Sequence, residues 1–199
     1  MGWIFQYMPI GRSYTLGLMP TPEQRLQMWK QSWKLVREKS IFLADFWNHG
    51  TVVDGCLSAG GHGNGGYMYI DWNGNVSPCV FVPFSPVNIK DVYAKGGNLT
   101  DIFNEPFFAD LRKWQADIKI QTNGKNLLNP CPIRDHNADL RQLIRKHEVE
   151  PLDLNAAEAL QDANYAKGMD VYGEKYQKIV DTIWEKVYVQ NSPLEAEDT

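Results

Sequence analysis

Cysteine placement constrains this chain more than any other feature. There are three, Cys56, Cys79 and Cys131, and each stands in loop-forming sequence rather than on an apolar face. Cys56 heads the run GCLSAGGHGNGG at 55–66, which holds six glycines; Cys79 follows Ser77-Pro78; Cys131 lies between Pro130 and Pro132. Glycine lets a backbone approach a bulky group closely, and proline removes a donor and stiffens the turn. An odd count over a long interval is not the disulfide framework of a short secreted chain. In a reducing compartment two readings then remain. The cysteines are small buried apolar residues, or they are thiolate ligands of an iron–sulfur cluster or of zinc. Their loop setting favours ligation. Zinc in a Cys3His site stays open as the alternative, although no tight C-x2-C knuckle is present.

Composition narrows the class of chain. The 199 residues are 43% hydrophobic and 12% aromatic, which suits one substantial packed domain or two small ones. The net charge is −4 with basic residues dispersed among acids, so no basic stripe for nucleic acid is expected. No apolar run approaches the ~20 residues of a membrane span. The amino end lacks a basic n-region, so no secretory signal is expected, and Gln6 stands where a myristoylation motif needs Ser or Thr. The expected location is the cytoplasm.

Periodicity and turn signals give the elements. Trp3 to Ile10 is strand-like. Thr21 then reads as an N-cap, with Pro22 at the first helical position and Gln24 completing a capping box. Leu26, Trp29, Trp33 and Val36 recur at helical spacing, and Ile41 to Trp47 is a second strand. This is a βαβ unit, whose default is a parallel pair of strands. Alone it leaves sheet edges uncovered, so it reads as a piece of a larger α/β barrel. Asn73-Gly74, between Tyr67–Ile70 and Val76–Val82, signals a hairpin with a type I′ turn. Helices are expected at about 88–95, 105–118 and 139–146. A long one is expected at about 155–188, with a Tyr172, Tyr176, Ile179, Ile183, Val187 stripe weakened by Gly168 and Gly173. The acidic tail from Asn191 reads as disordered.

The stretch from Cys56 to Cys79 contains Gly-Tyr-Met-Tyr-Ile-Asp-Trp-Asn-Gly-Asn-Val-Ser-Pro-Cys and closes with Gly74-x4-Cys79. It resembles the opening of a SPASM or twitch domain, the auxiliary iron–sulfur module of radical S-adenosylmethionine (SAM) enzymes. Asn98-Leu99-Thr100-Asp101-Ile102-Phe103, Pro106-Phe107-Phe108 and Leu111-Arg112 are similar to that family's next segment. Cys131-Pro-Ile-Arg-Asp-His136 resembles a later ligand region. Tyr7 to Arg12 and Phe46 to Gly50 look like late strands of the radical SAM partial barrel. The C-x3-C-x2-C motif that would hold the SAM-cleaving cluster is absent from these 199 residues.

The resemblance implies an α/β chain in three parts: a barrel remnant at 1–50, a SPASM-like α+β module at 51–136, and a helical extension with an acidic tail at 137–199. It implies one auxiliary cluster, [4Fe–4S], held by Cys56, Cys79 and Cys131. His136 is the first candidate for the fourth position, with Asp135 and His62 behind it. Tyr7, Gly11, Arg12 and His49 are candidates for the SAM or substrate side; SAM itself would bind only in the complete enzyme. The expected partners are an N-terminal half-barrel, or another chain supplying it, and a peptide or small-molecule substrate. The chain alone is not expected to be a competent enzyme. The competing class is an interaction module stabilised by zinc, or without metal, doing no redox chemistry.

Overall fold

The computed structural model describes residues 2–45, 68–117 and 126–190. Within them the protein is mixed α/β, with seven α-helices and three small sheets. No helix among the described residues is long and apolar enough to cross a membrane.

The amino-terminal unit is the expected β-α-β. Strands β1 (Gly2–Ile4) and β2 (Leu43–Asp45) pair in parallel, Gly2 opposite Leu43. Between them runs helix α1 (Pro22–Lys39). Thr21 Oγ1 accepts the Gln24 N–H at 3.2 Å and Gln24 Oε1 accepts the Thr21 N–H at 2.9 Å, closing both halves of the capping box. Strand β1 is shorter than the expected Trp3–Ile10 run. Its last paired residue, Ile4, stands opposite Asp45, the last residue of β2. Gln6 and Met8 still face inward in alternation and are buried.

The hairpin is present with a different turn. β3 (Tyr69–Ile70) and β4 (Asn75–Ser77) pair antiparallel, Ile70 opposite Val76. Only Gly74 in the loop has a positive φ, +90°, whereas a type I′ turn would require one at Asn73 as well. The Gly74 N–H donates to the Asp71 carbonyl at 3.0 Å, and the Asp71 N–H to the Asn75 carbonyl at 3.0 Å. This is the three-residue loop that ends in a left-handed glycine. Asp71 decides it: its Oδ1 accepts the N–H groups of both Asn73 and Asn75, at 2.8 and 2.9 Å.

After β4 the chain turns through Cys79 into β5 (Phe84–Ser85) and β6 (Val87–Asn88), and β6 pairs with β4. Three helices follow: α2 (Ile89–Ala94), α3 (Leu99–Phe103) and α4 (Pro106–Asp117). The middle one lies outside the expected set, although Asn98 and Asp101 form a capping box that marks its start. Helix α5 (Asn137–Lys146) leads to β7 (Glu150–Pro151), which returns to pair with β5, Phe84 opposite Pro151.

The expected long C-terminal helix is broken in two, α6 (Leu154–Gln161) and α7 (Ala163–Trp184), with a π-helical turn at Glu185–Val189. Asp162 makes the break: its Oδ1 accepts from Asn164 N–H and Tyr165 N–H and so caps a new helix. The buried stripe of α7 is Tyr165, Met169, Gly173, Tyr176 and Val180, rotated from the expected one. Gly168 and Gly173 are sites of close packing. A Cβ at Gly173 would stand 2.5 Å from the Asp135 carbonyl oxygen, and one at Gly168 2.0 Å from a Leu16 methyl.

Candidate functional site

Cys79 and Cys131 come from loops 52 positions apart, yet both are 4% exposed and belong to one buried apolar cluster with Val76, Val82, Phe84, Phe107 and Ile133. Loop placement thus did not leave these thiols at the surface. Cys79 sits in the turn between β4 and β5, where the Val82 N–H donates to its carbonyl at 2.9 Å. Ser77 Oγ donates to the Phe84 carbonyl, and the Val76 N–H donates to Ser85 Oγ, each at 2.9 Å. These bonds fix the two flanks of the turn.

Cys131 opens a tighter loop. Its carbonyl accepts the N–H groups of Asp135 and His136, at 2.8 and 3.2 Å. Its own N–H donates to Asp135 Oδ2 at 3.2 Å, and Asn137 Nδ2 donates to the Ile133 carbonyl at 2.7 Å. The loop therefore closes on itself before α5 begins.

Behind it lies a buried charged assembly that no local sequence signal announces. Arg25 of α1 donates to both oxygens of Asp135, through Nη1 to Oδ1 and through Nη2 to Oδ2 at 3.1 Å. Arg134 Nε lies 3.6 Å from Asp135 Oδ1, and the side chains of Arg25, Arg134 and Asp135 have no exposed surface. Arg134 Nη1 donates to Gln6 Oε1 at 2.8 Å, and Gln6 Nε2 donates to Asp45 Oδ2 at 3.0 Å. The Arg25 guanidinium also lies over the Tyr176 ring, 3.5 Å from its centre, a favourable cation–π placement. Two cations, two carboxylates and the Gln6 amide thus join the segment after β1, α1, β2, the Cys131 loop and α7.

Burial alone would push the Asp135 carboxyl up, but the Arg25 and Arg134 guanidinium groups more than offset it and hold its pKa below the ordinary value. Burial opposes the charge on Arg25 in the same way, and Asp135 reverses the sign, so its pKa is raised. With one oxygen on the Cys131 amide and both on Arg25, Asp135 braces the loop.

His136 is half-buried. Its Nε2 lies 2.8 Å from the Asn129 carbonyl oxygen, which can only accept, so Nε2 carries a proton. In the neutral ring this leaves the lone pair on Nδ1. A histidine whose second nitrogen donates to a backbone carbonyl is in the usual arrangement of a metal ligand. Trp114 packs edge-on against the ring at 5.4 Å and is held by its Nε1–H to Asp139 Oδ2 at 2.9 Å.

Cys56, His49 and His62, with the glycine-rich loop, lie outside the described residues. Among the described residues no three of His, Cys, Asp and Glu form a group that could hold a metal. Two thiols and an oriented imidazole suit an iron–sulfur cluster in kind, and a third thiol would have to come from outside those residues, where Cys56 stands. Of the other candidates, Tyr7 packs with Tyr14, Leu16 and Tyr172 around buried Met19 and Met169, apart from the cysteines. Gly11 borders an apolar pocket shared with Phe81 and Ile133. Exposed Arg12 borders an open cavity with Glu158 and Asp162.

Arg25 was missed because it stands beside the apolar face drawn through Leu26 and Trp29. The signal available was its place four residues before the fully buried Trp29. Its partner, 110 positions away, carries no local mark.

No curated protein and no solved structure matches the chain. Residues 62–138 match the family model of the SPASM domain, an iron–sulfur cluster-binding domain; Cys79, Cys131 and His136 fall inside that stretch, and Cys56 precedes it.

Proposed function

We propose that the protein binds one auxiliary iron–sulfur cluster, [4Fe–4S], through Cys56, Cys79 and Cys131, with His136 Nδ1 at the fourth position. The cluster would serve a radical SAM enzyme. The observation that carries this reading is that Cys79 and Cys131 are both buried in one apolar cluster, within the stretch matched by an iron–sulfur domain model. When bound, such a group can accept an electron or anchor a substrate through an open iron, with a potential set by burial and hydrogen bonding.

The residues of this chain do the positioning. Asp135, gripped by Arg25, holds the Cys131 amide and so the direction of its side chain. The Asn129 carbonyl fixes the tautomer of His136. The apolar wall of Val82, Phe84 and Ile133 limits water at the thiols. Residues 1–50 are a remnant of the partial barrel, completed by an N-terminal half-barrel or another chain, and SAM binds only in that complete assembly. The exposed aromatics Trp3 on β1 and Phe5 and Phe42 beside the two strands support such a partner. The substrate is a peptide or small molecule.

The test is anaerobic expression of the full chain, loading with iron and sulfide, and measurement of metal content with the visible spectrum. A brown protein with comparable iron and sulfide is expected, and Cys79→Ala or Cys131→Ala should abolish the colour. A colourless protein with stoichiometric zinc would replace the redox reading with a zinc-stabilised interaction module.

A further inference from the structure

An imidazole binds metal only through a ring nitrogen that is turned toward it, so the hold on the His136 ring matters as much as the presence of the residue. The ring is half-buried just before α5. Its Nε2–H donates to the Asn129 carbonyl at 2.8 Å, and its Nδ1 forms no hydrogen bond among the described residues. One bond does not lock such a ring. The torsion that turns it is broad and roughly two-fold, and a half-turn exchanges the places of Nδ1 and Cδ2.

Trp114 opposes that turn. It stands on α4 three residues after Leu111 and seven after Phe107, positions that share one face of a helix. There it packs against the apolar cluster that contains Cys79 and Cys131. Its ring meets the His136 ring edge-on, with centroids 5.4 Å apart and planes at 71°, an arrangement aromatic pairs prefer. An indole has one donor and no acceptor. Here that donor goes to Asp139 Oδ2 at 2.9 Å, and Asp139 lies in the first turn of α5, three residues after His136. The acceptor that holds Trp114 and the imidazole that Trp114 touches thus belong to one turn of chain.

We propose that Trp114, anchored by Asp139, is a positioning residue that keeps the His136 ring from turning and so keeps Nδ1 presented for ligation. This rests on His136 as the fourth ligand; the hold on the ring exists with or without a cluster. Groups behind a metal ligand set its orientation and tautomer in this way.

The experiment uses the full chain and two readouts. In the unloaded protein, long-range proton–nitrogen correlation NMR of the His136 ring, at a pH where it is neutral, is expected to show one tautomer with the proton on Nε2. After anaerobic loading with iron and sulfide and reduction, pulsed electron paramagnetic resonance is expected to show a nitrogen coupling that His136→Ala removes. Trp114→Leu keeps an apolar side chain but no ring, and should mix the tautomers and abolish the coupling. Asp139→Ala releases the indole without touching the core, and should shift both readouts the same way. Asp139→Asn still offers an oxygen to the indole N–H and should restore both to those of the unaltered chain. A single Nε2–H tautomer in Trp114→Leu and Asp139→Ala alike overturns the inference, as does an Asp139→Asn that behaves like Asp139→Ala. A loaded chain without the nitrogen coupling removes His136 as a ligand and the inference with it. Failure to load any cluster at all instead strikes the iron–sulfur reading, and the tautomer measurement then decides the hold of Trp114 on the ring.

Discussion

Arg25 and Asp135 illustrate what a buried ion pair does. Taking two charges out of water costs nearly what their attraction returns, so such a pair adds little net stability over a well-packed apolar pair. Breaking it is another matter. Arg25→Met takes from Asp135 the guanidinium bonded to both its oxygens and should cost about 3–5 kcal/mol, read as a lowered midpoint in urea unfolding. Acid dependence follows from the lowered Asp135 pKa. A group whose folded pKa is depressed contributes stability above its unfolded value of about 3.9 and loses it as pH falls through the folded value. Stability should therefore drop below about pH 4, and Asp135→Asn should flatten that part of the profile while lowering stability at neutral pH. Tyr165 and Tyr176, both pushed up to about 12 by burial first of all, act at the alkaline end. Their contribution is whole below the unfolded tyrosine value near 10 and is lost as pH rises toward 12.

Helices show where local sequence speaks and where it is silent. Thr21, Pro22 and Gln24 mark the start of α1 because every bond of a capping box lies within four residues. Gly74 is legible for the same reason, although the loop around it follows Asp71. Asp162 was readable too, as a capping residue inside a long helical pattern, but the apolar period running through it hid the break. Gly168 and Gly173 mislead most. By propensity each weakens α7 by about 1 kcal/mol, so alanine at either should help. The surroundings separate them. At Gly173 the new Cβ meets backbone, the Asp135 carbonyl; at Gly168 it meets the end of a flexible Leu16 side chain. Gly173→Ala should thus lower the melting temperature, by about 2–4 °C for each kcal/mol lost in a chain of this size. Gly168→Ala should be tolerated. Calorimetry of the two variants side by side decides it.

At the scale of the molecule, the mixed α/β class and the loops of Cys79 and Cys131 were readable, because strand–helix–strand order and proline-containing turns are written in consecutive residues. The bracing of those loops was not, because Gln6, Arg25, Asp45, Arg134 and Asp135 are joined only by the final packing. The expected boundary at 50 has Gln6, Arg25 and Asp45 on one side and Arg134 and Asp135 on the other. A protein trimmed to residues 62–138, the matched stretch, would keep Arg134 and Asp135 but lose Gln6, Arg25, Asp45 and Tyr176. It would also lose β7, the antiparallel partner of β5, and most of α5. Such a piece should show little cooperative unfolding by circular dichroism, while the full chain melts in one transition. A sharp transition in the short piece would show that the flanking elements are dispensable.

The closeness of Gly173 to the Asp135 carbonyl has a consequence for heredity. A helix lying so near the Cys131 loop is not a loose appendage to it. Were the cysteine-bearing cassette transplanted into another protein, it would function there only if the host supplied a small residue, an aromatic ring and a guanidinium in the same places. Residues far apart in the polypeptide are thus bound to be inherited as a set.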